Sequence, residues 1–100
     1  RETVMHPDKV RRENIKKLTD LPNIGPSIAA DLRLLGIDSP QQLAGREGID
    51  LYRRLCDITQ TRHDPCVMDT FMSITDFMAG NPPQAWWFYT PERKRRWPSL

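Results

Sequence analysis

The sequence has only two cysteines, Cys56 and Cys66, too few for the disulfide framework of a small secreted domain. Reduced thiols in a cytoplasmic protein are the expectation. Its two histidines, His6 and His63, lie far apart in the chain, so no base–nucleophile pair can be assigned. No apolar run approaches the roughly 20 residues of a membrane span, and no charged-then-apolar secretory opening is visible. Position 1 is Arg, which leaves Met5 as a candidate native start. No segment alternates at period two over strand length, which argues against a sheet. A strong excess of one charge is also missing, since the formal net charge is only +2. A strongly basic body, the footprint of a duplex binder, is therefore absent.

The charge that is present is unevenly placed. Residues 1–19 carry net +3, residues 20–81 net −4, and residues 82–100 net +3. Apolar residues at 38% are enough for one modest core in a single domain. The pattern predicts an all-α fold of about five short helices. The first runs from Pro7 to about Thr19, with Val10, Ile15 and Leu18 as sparse apolar positions. After a turn at 20–25, Pro26 opens a second helix with Ile28, Ala29, Leu32 and Leu35 at helical spacing, and Gly36 sits where a left-handed C′ residue is wanted. Ser39-Pro40 and Asp64-Pro65 each read as an N-cap followed by a first-position proline. Gly45 and Gly48 break the short helix between them, and Asp50 is positioned to cap the next. The last long helix carries Val67, Met68, Phe71, Met72, Thr75 and Met78, and stops at Gly80. Residues 1–80 thus read as a helical domain, and residues 81–100 as a Pro-rich, aromatic and basic tail that packs partly on it.

The stretch Leu18-Thr19-Asp20-Leu21-Pro22-Asn23-Ile24-Gly25-Pro26-Ser27-Ile28-Ala29 resembles a helix-hairpin-helix motif. Gly25 is expected at positive φ or close against a neighbouring backbone, where a side chain would block a phosphate. Ile24 points inward to lock two helices, Pro26 starts the second helix, and small Ala29 lets the first pack closely on it. The first-turn N–H groups and positive dipole end then form an anion site. Ile24-Gly25-Pro26-Ser27 is similar to the hairpins of repair polymerases. That resemblance implies backbone amides of Asn23, Gly25 and Ser27 on a nucleic-acid phosphate, and carbonyls of Thr19, Leu21 and Ile24 on a monovalent cation. The sequence departs from the pattern in two ways. Asn23 replaces the first glycine, Asn being the next most tolerant of left-handed geometry. The second helix lacks a supporting Lys or Arg, and Asp20 and Asp31 place like charge there instead.

A wider resemblance covers residues 16–96 through five ordered blocks. These are Leu-Pro-Asn-Ile-Gly-Pro, Leu-Gly-Ile-x-Ser-Pro-Gln-Gln-Leu, Leu-Tyr-x-Arg-Leu-Cys, Asp-Pro-Cys-Val-Met-Asp and Trp-Trp-x-Tyr-Thr-Pro-Glu-Arg-Lys. The chain resembles the small bacterial "pathogenicity locus" helix-hairpin-helix family, whose members are sometimes labelled mitomycin resistance proteins. A SAM-like helical domain is implied, with no reaction attached.

Two further clusters bear on function. Cys56, His63 and Cys66 form a C-x6-H-x2-C arrangement, but a closed zinc site needs four ligands and only distant His6 is left to offer. No metal and no cofactor are expected. Trp86-Trp87-Phe88-Tyr89 followed by Arg93-Lys94-Arg95-Arg96 suits stacking on unpaired bases. The competing reading folds Trp86 and Trp87 back over the core and leaves the basic run solvated. The expected function is a non-enzymatic module that binds nucleic acid, DNA above all, weakly and without sequence preference. The alternative is a protein-interaction adaptor whose acidic body docks a basic partner, with no direct nucleic-acid binding. Neither reading involves a membrane.

Overall fold

The computed structural model describes residues 4–100. Its architecture is all-helical, and no strand occurs among the described residues. Four α-helices order the chain: α1 (Pro26–Leu34), α2 (Gly48–Thr59), α3 (Pro65–Met78) and α4 (Thr90–Arg96). None of them is long and apolar enough to cross a membrane.

Helix α3 is the centre of the molecule. Met68, Phe71, Met72, Ile74 and Phe77 point to different sides of it and are all buried, as befits a helix that is apolar nearly all round. It packs against α2, α4, the 3-10 turn Pro40–Leu43 and the 3-10 turn Trp86–Tyr89. Its start is local chemistry: the Asp64 carboxylate accepts from the Cys66 N–H at 2.9 Å, and Pro65 fills a position that needs no donor. The Asp64 carboxyl is held below the usual range by that same backbone N–H. The expected left-handed residue after α1 is Gly36, with φ 82°.

Two expectations fail for tertiary reasons. The helix anticipated from Pro7 to Thr19 is three separate 3-10 turns, Pro7–Lys9, Arg12–Asn14 and Leu18–Asp20. Val10, Ile15 and Leu18 give no continuous apolar stripe, so packing cannot repay helix nucleation. Arg12 instead reaches across the molecule, donating to the Phe77 and Asn81 carbonyls at 2.7 and 2.8 Å and lying 4.0 Å from the Phe77 ring centroid. It thereby adds a second donor to the Phe77 carbonyl, which already accepts from the Gly80 N–H at 3.0 Å, and ties the N-terminal segment to the end of α3. The Pro-rich tail contains only the short helix α4, with Pro91 in the first turn where proline is tolerated.

Gly48, expected to break a helix, is instead the first residue of α2. Asp50 accordingly sits inside the first turn, and Glu47 is the N-cap residue. A Cβ on Gly48 would lie 2.8 Å from the Met72 backbone nitrogen and 3.0 Å from its Cα. The absent side chain is what lets α2 meet α3. Gly48→Ala is expected to destabilise the fold by about 1–3 kcal/mol through overpacking, although the same change on an exposed helix face stabilises. A urea titration of the two proteins measures it, and an unchanged or raised midpoint would contradict the close approach.

Candidate nucleic-acid interface

The hairpin turn is buried as a whole, residues 21–25 included. Leu18, Leu21, Ile24, Ala29 and Leu32 are all 0–1% exposed, so the connection is fixed to the core from both sides. Ile24 and Ala29 take the places assigned from sequence. The Asp20 carboxylate accepts from the backbone N–H groups of Lys16 and Lys17, each at 3.0 Å. Those two bonds hold its carboxyl below the usual carboxylate range. Asp20 is therefore a structural brace of the turn.

Its acid behaviour follows from that. The unfolded chain takes up this proton near pH 3.9, while the folded chain holds its carboxylate to lower pH. The stabilisation is complete above about pH 3.9 and is lost as pH falls through the depressed value. A carboxyl NMR titration is expected to place the Asp20 midpoint below 3.8, with the Lys16 and Lys17 amide shifts following it. A midpoint at or above the ordinary value would remove the brace.

The left-handed residue of the hairpin is Asn23, with φ 68°. Gly25, expected there, is extended at φ −99° and ψ −178° and serves as the N-cap residue of α1. Asn23 takes the left-handed position because its side chain is also used: Nδ2 donates to Ser73 Oγ at 3.0 Å and to the Gln84 carbonyl at 2.8 Å. Its backbone N–H donates to the Met5 carbonyl at 3.0 Å. That removes Asn23 from the amide set implied by the motif. Of the other two positions of that set, Gly25 is buried as the N-cap residue of α1 and Ser27 is exposed in its first turn. Among the described residues, no backbone hydrogen bond ends on the carbonyls of Thr19, Leu21 or Ile24.

The N-terminal segment adds what the hairpin sequence lacked. Met5 is tied to Asn23, and Val4, Met5, His6 and Lys9 line a groove of about 480 Å³ along the hairpin. Lys17, Thr19, Asp20 and Pro26 complete its lining. Lys9, Lys17 and His6 thus share a groove with Pro26, the first residue of α1, and with the Asp20 carboxylate, although α1 itself carries no basic residue in its first turn. The net positive charge of residues 1–19 was visible, but its docking on the hairpin rests on a single long-range backbone bond.

The tail divides differently from the expected basic run of Arg93, Lys94, Arg95 and Arg96. Arg93 is only 8% exposed, and its Nε lies 2.6 Å from Oδ1 of fully buried Asp69. Thr90 Oγ1 donates to the other Asp69 oxygen at 2.7 Å. One end of the tail is thus pinned by Asp69. The other is pinned by Asp76, two turns along α3, which accepts from the Tyr89 hydroxyl and the Asn81 amide, each at 2.6 Å. Burial and the bond to Asp76 push the Tyr89 hydroxyl well above its ordinary range. Arg96 pairs with Glu92 at 3.1 Å and covers the Trp97 ring at 4.3 Å. Lys94 and Arg95 are exposed. Trp86 is half-buried, but Trp87, expected to fold back on the core, is 60% exposed.

The thiols belong to a separate region. Cys56 packs partly against the core, and Cys66 sits in the first turn of α3, where burial and then the Asp64 carboxylate push its thiol up to about 11. His63 Nε2 is 2.8 Å from Thr59 Oγ1, and the His63 carbonyl accepts from the Tyr52 hydroxyl. No group of three or more metal-binding side chains gathers among the described residues.

The family model for the pathogenicity locus matches residues 11–95, a span that includes both the hairpin and the two aspartate anchors of the tail. The chain is also 45% identical over 78 residues to the mitomycin resistance protein McrB of Streptomyces lavendulae, covering 78% of this chain and 74% of that protein. No solved structure matches it. By both comparisons the chain belongs to the pathogenicity locus family.

Proposed function

We propose that this chain is a non-enzymatic module that grips nucleic-acid backbone phosphate, DNA above all, without reading sequence. The observation that carries the reading is the groove lined by Lys9 and Lys17 together with Pro26 at the start of α1, with one carboxylate, Asp20, also on it. Cations beside a helix N-terminus are a setting suited to a phosphate, because dipole and charge act in the same direction. Gly25 has no side chain to cap α1 or to obstruct the approach. The carbonyls of Thr19, Leu21 and Ile24 are the oxygens the motif would offer a monovalent cation, with Leu21 and Ile24 themselves fully buried. The adaptor reading rested on an acidic body, and two of the acids counted there, Asp69 and Asp76, are turned into contacts with the chain's own tail. A cytoplasmic setting, and a contribution to mitomycin resistance carried over from the relative's name, belong to the same proposal.

Two or three phosphate contacts give dissociation constants on the order of 10⁻⁴ to 10⁻⁶ M at physiological salt, and a log–log salt slope of about −0.9 per duplex phosphate. The double variant Lys9→Glu/Lys17→Glu is expected to weaken binding at least about tenfold at low salt and to flatten that slope by one to two contacts' worth. Fluorescence anisotropy at two salt concentrations reads both. Unchanged affinity and slope would remove the groove from the site, and a wild-type chain that binds no nucleic acid at low salt would leave the adaptor reading in its place.

A further inference from the structure

Two of the exposed large apolar side chains lie in the tail segment that crosses the hairpin. Trp87 is 60% exposed and Phe88 59%. Each is braced by a less exposed ring: Trp86 stands edge-on to Trp87 with centroids 5.6 Å apart, and Tyr89 lies 5.2 Å from Phe88 at 74°. Tyr89 is in turn fixed through its hydroxyl to Asp76. The rings are positioned in advance, so contact with a flat partner costs little side-chain freedom.

Their location matters as much as their exposure. The Gln84 carbonyl accepts from Asn23 at the hairpin turn, and Trp87 follows three residues later. Three residues span at most about 11 Å, comparable with about three nucleotide steps of 3.4 Å. Exposed Lys94 and Arg95 follow on α4, and the Asp69 charge is paired with Arg93, whereas Asp76, Glu47 and Glu92 line the pocket beside Phe88 as like charges.

We infer that Trp87 and Phe88 form a stacking platform for the bases of an unpaired nucleic-acid strand whose backbone lies in the hairpin groove. This rests on the phosphate-binding reading above and adds a preference for single strands. A duplex shows only base edges in its grooves, whereas an unpaired base offers a face that any aromatic ring accepts, whatever the base.

Anisotropy titrations of the full chain against oligothymidylate, oligouridylate and a DNA duplex test it. Trp87→Ala/Phe88→Ala is expected to lose about ten- to a hundredfold in affinity for the single strands while its duplex affinity stays unchanged. Trp87→Phe is expected to keep most of the affinity, since it keeps a ring. The removed side chains are largely solvent-facing, and an unchanged unfolding midpoint checks that the fold is kept. Unchanged single-strand affinity, or an equal loss on duplex and single strands, would overturn the platform and leave the phosphate reading standing. If the wild type binds none of the three at low salt, both fail together. Lys9→Glu/Lys17→Glu separates the two sites, because it weakens the duplex and the single strands alike.

Discussion

Arg93→Ala is expected to destabilise this domain by about 3–5 kcal/mol, the cost of stranding a buried charge without its partner. Asp69 is 0% exposed, and its two oxygens are met by Arg93 Nε at 2.6 Å and Thr90 Oγ1 at 2.7 Å. Removing the guanidinium leaves a carboxylate in a low-dielectric interior with one neutral hydrogen bond. Exposed members of the same basic run behave differently: Lys94→Ala and Arg95→Ala are expected to fall within about 0.5 kcal/mol of wild type, as surface changes do. The apolar pair Asp69→Leu/Arg93→Met is expected to recover most of the loss, because it removes both charges at similar volume. Urea unfolding with an unchanged slope measures all four. A loss under about 1 kcal/mol for Arg93→Ala would mean that the tail is not anchored through this pair. Deleting residues 93–100 is accordingly a poor way to remove tail charge, since it unpairs Asp69 as well. Lys94 and Arg95 are the residues to change for that purpose.

How much of this was legible in the sequence divides along the range of the interactions. The starts of α1 and α3 were readable because proline, glycine and the Asp64 cap act within three residues. Core positions of α3 were readable from spacing alone. The N-terminal segment was misread because its conformation is set by Arg12 at Phe77 and by Met5 at Asn23, which local pattern does not contain. The anchoring of the tail had a signal that went unread. Asp69 and Asp76 stand two turns apart in an otherwise apolar helix, and carboxylates placed there require cations or hydroxyls from elsewhere. The tail's Arg93 and Tyr89 are those groups. At the hairpin, two tolerant residues, Asn23 and Gly25, stand one residue apart, and local sequence gave no basis for deciding which takes the left-handed position.

Asn23 is where that decision has its largest consequence. Asn23→Ala is expected to cost about 2–5 kcal/mol, from two separable sources. An L-residue other than Asn or Gly at φ 68° pays roughly 1–2 kcal/mol for left-handed geometry. The lost bonds to Ser73 Oγ and the Gln84 carbonyl contribute about 0.5–1.5 kcal/mol each. Asn23→Gly isolates the second source, since glycine adopts this φ freely, and it is expected to sit about 1–2 kcal/mol above the Ala variant. The backbone bond from residue 23 to the Met5 carbonyl survives in the Gly variant, so the wall of Lys9 and His6 stays on the hairpin. Only the crossing of Gln84 over the turn is released. Asn23→Gly is therefore expected to retain duplex affinity while losing part of its single-strand preference. Equal stability of the Ala and Gly variants by urea unfolding would show that the left-handed turn is not what holds Asn23 in place.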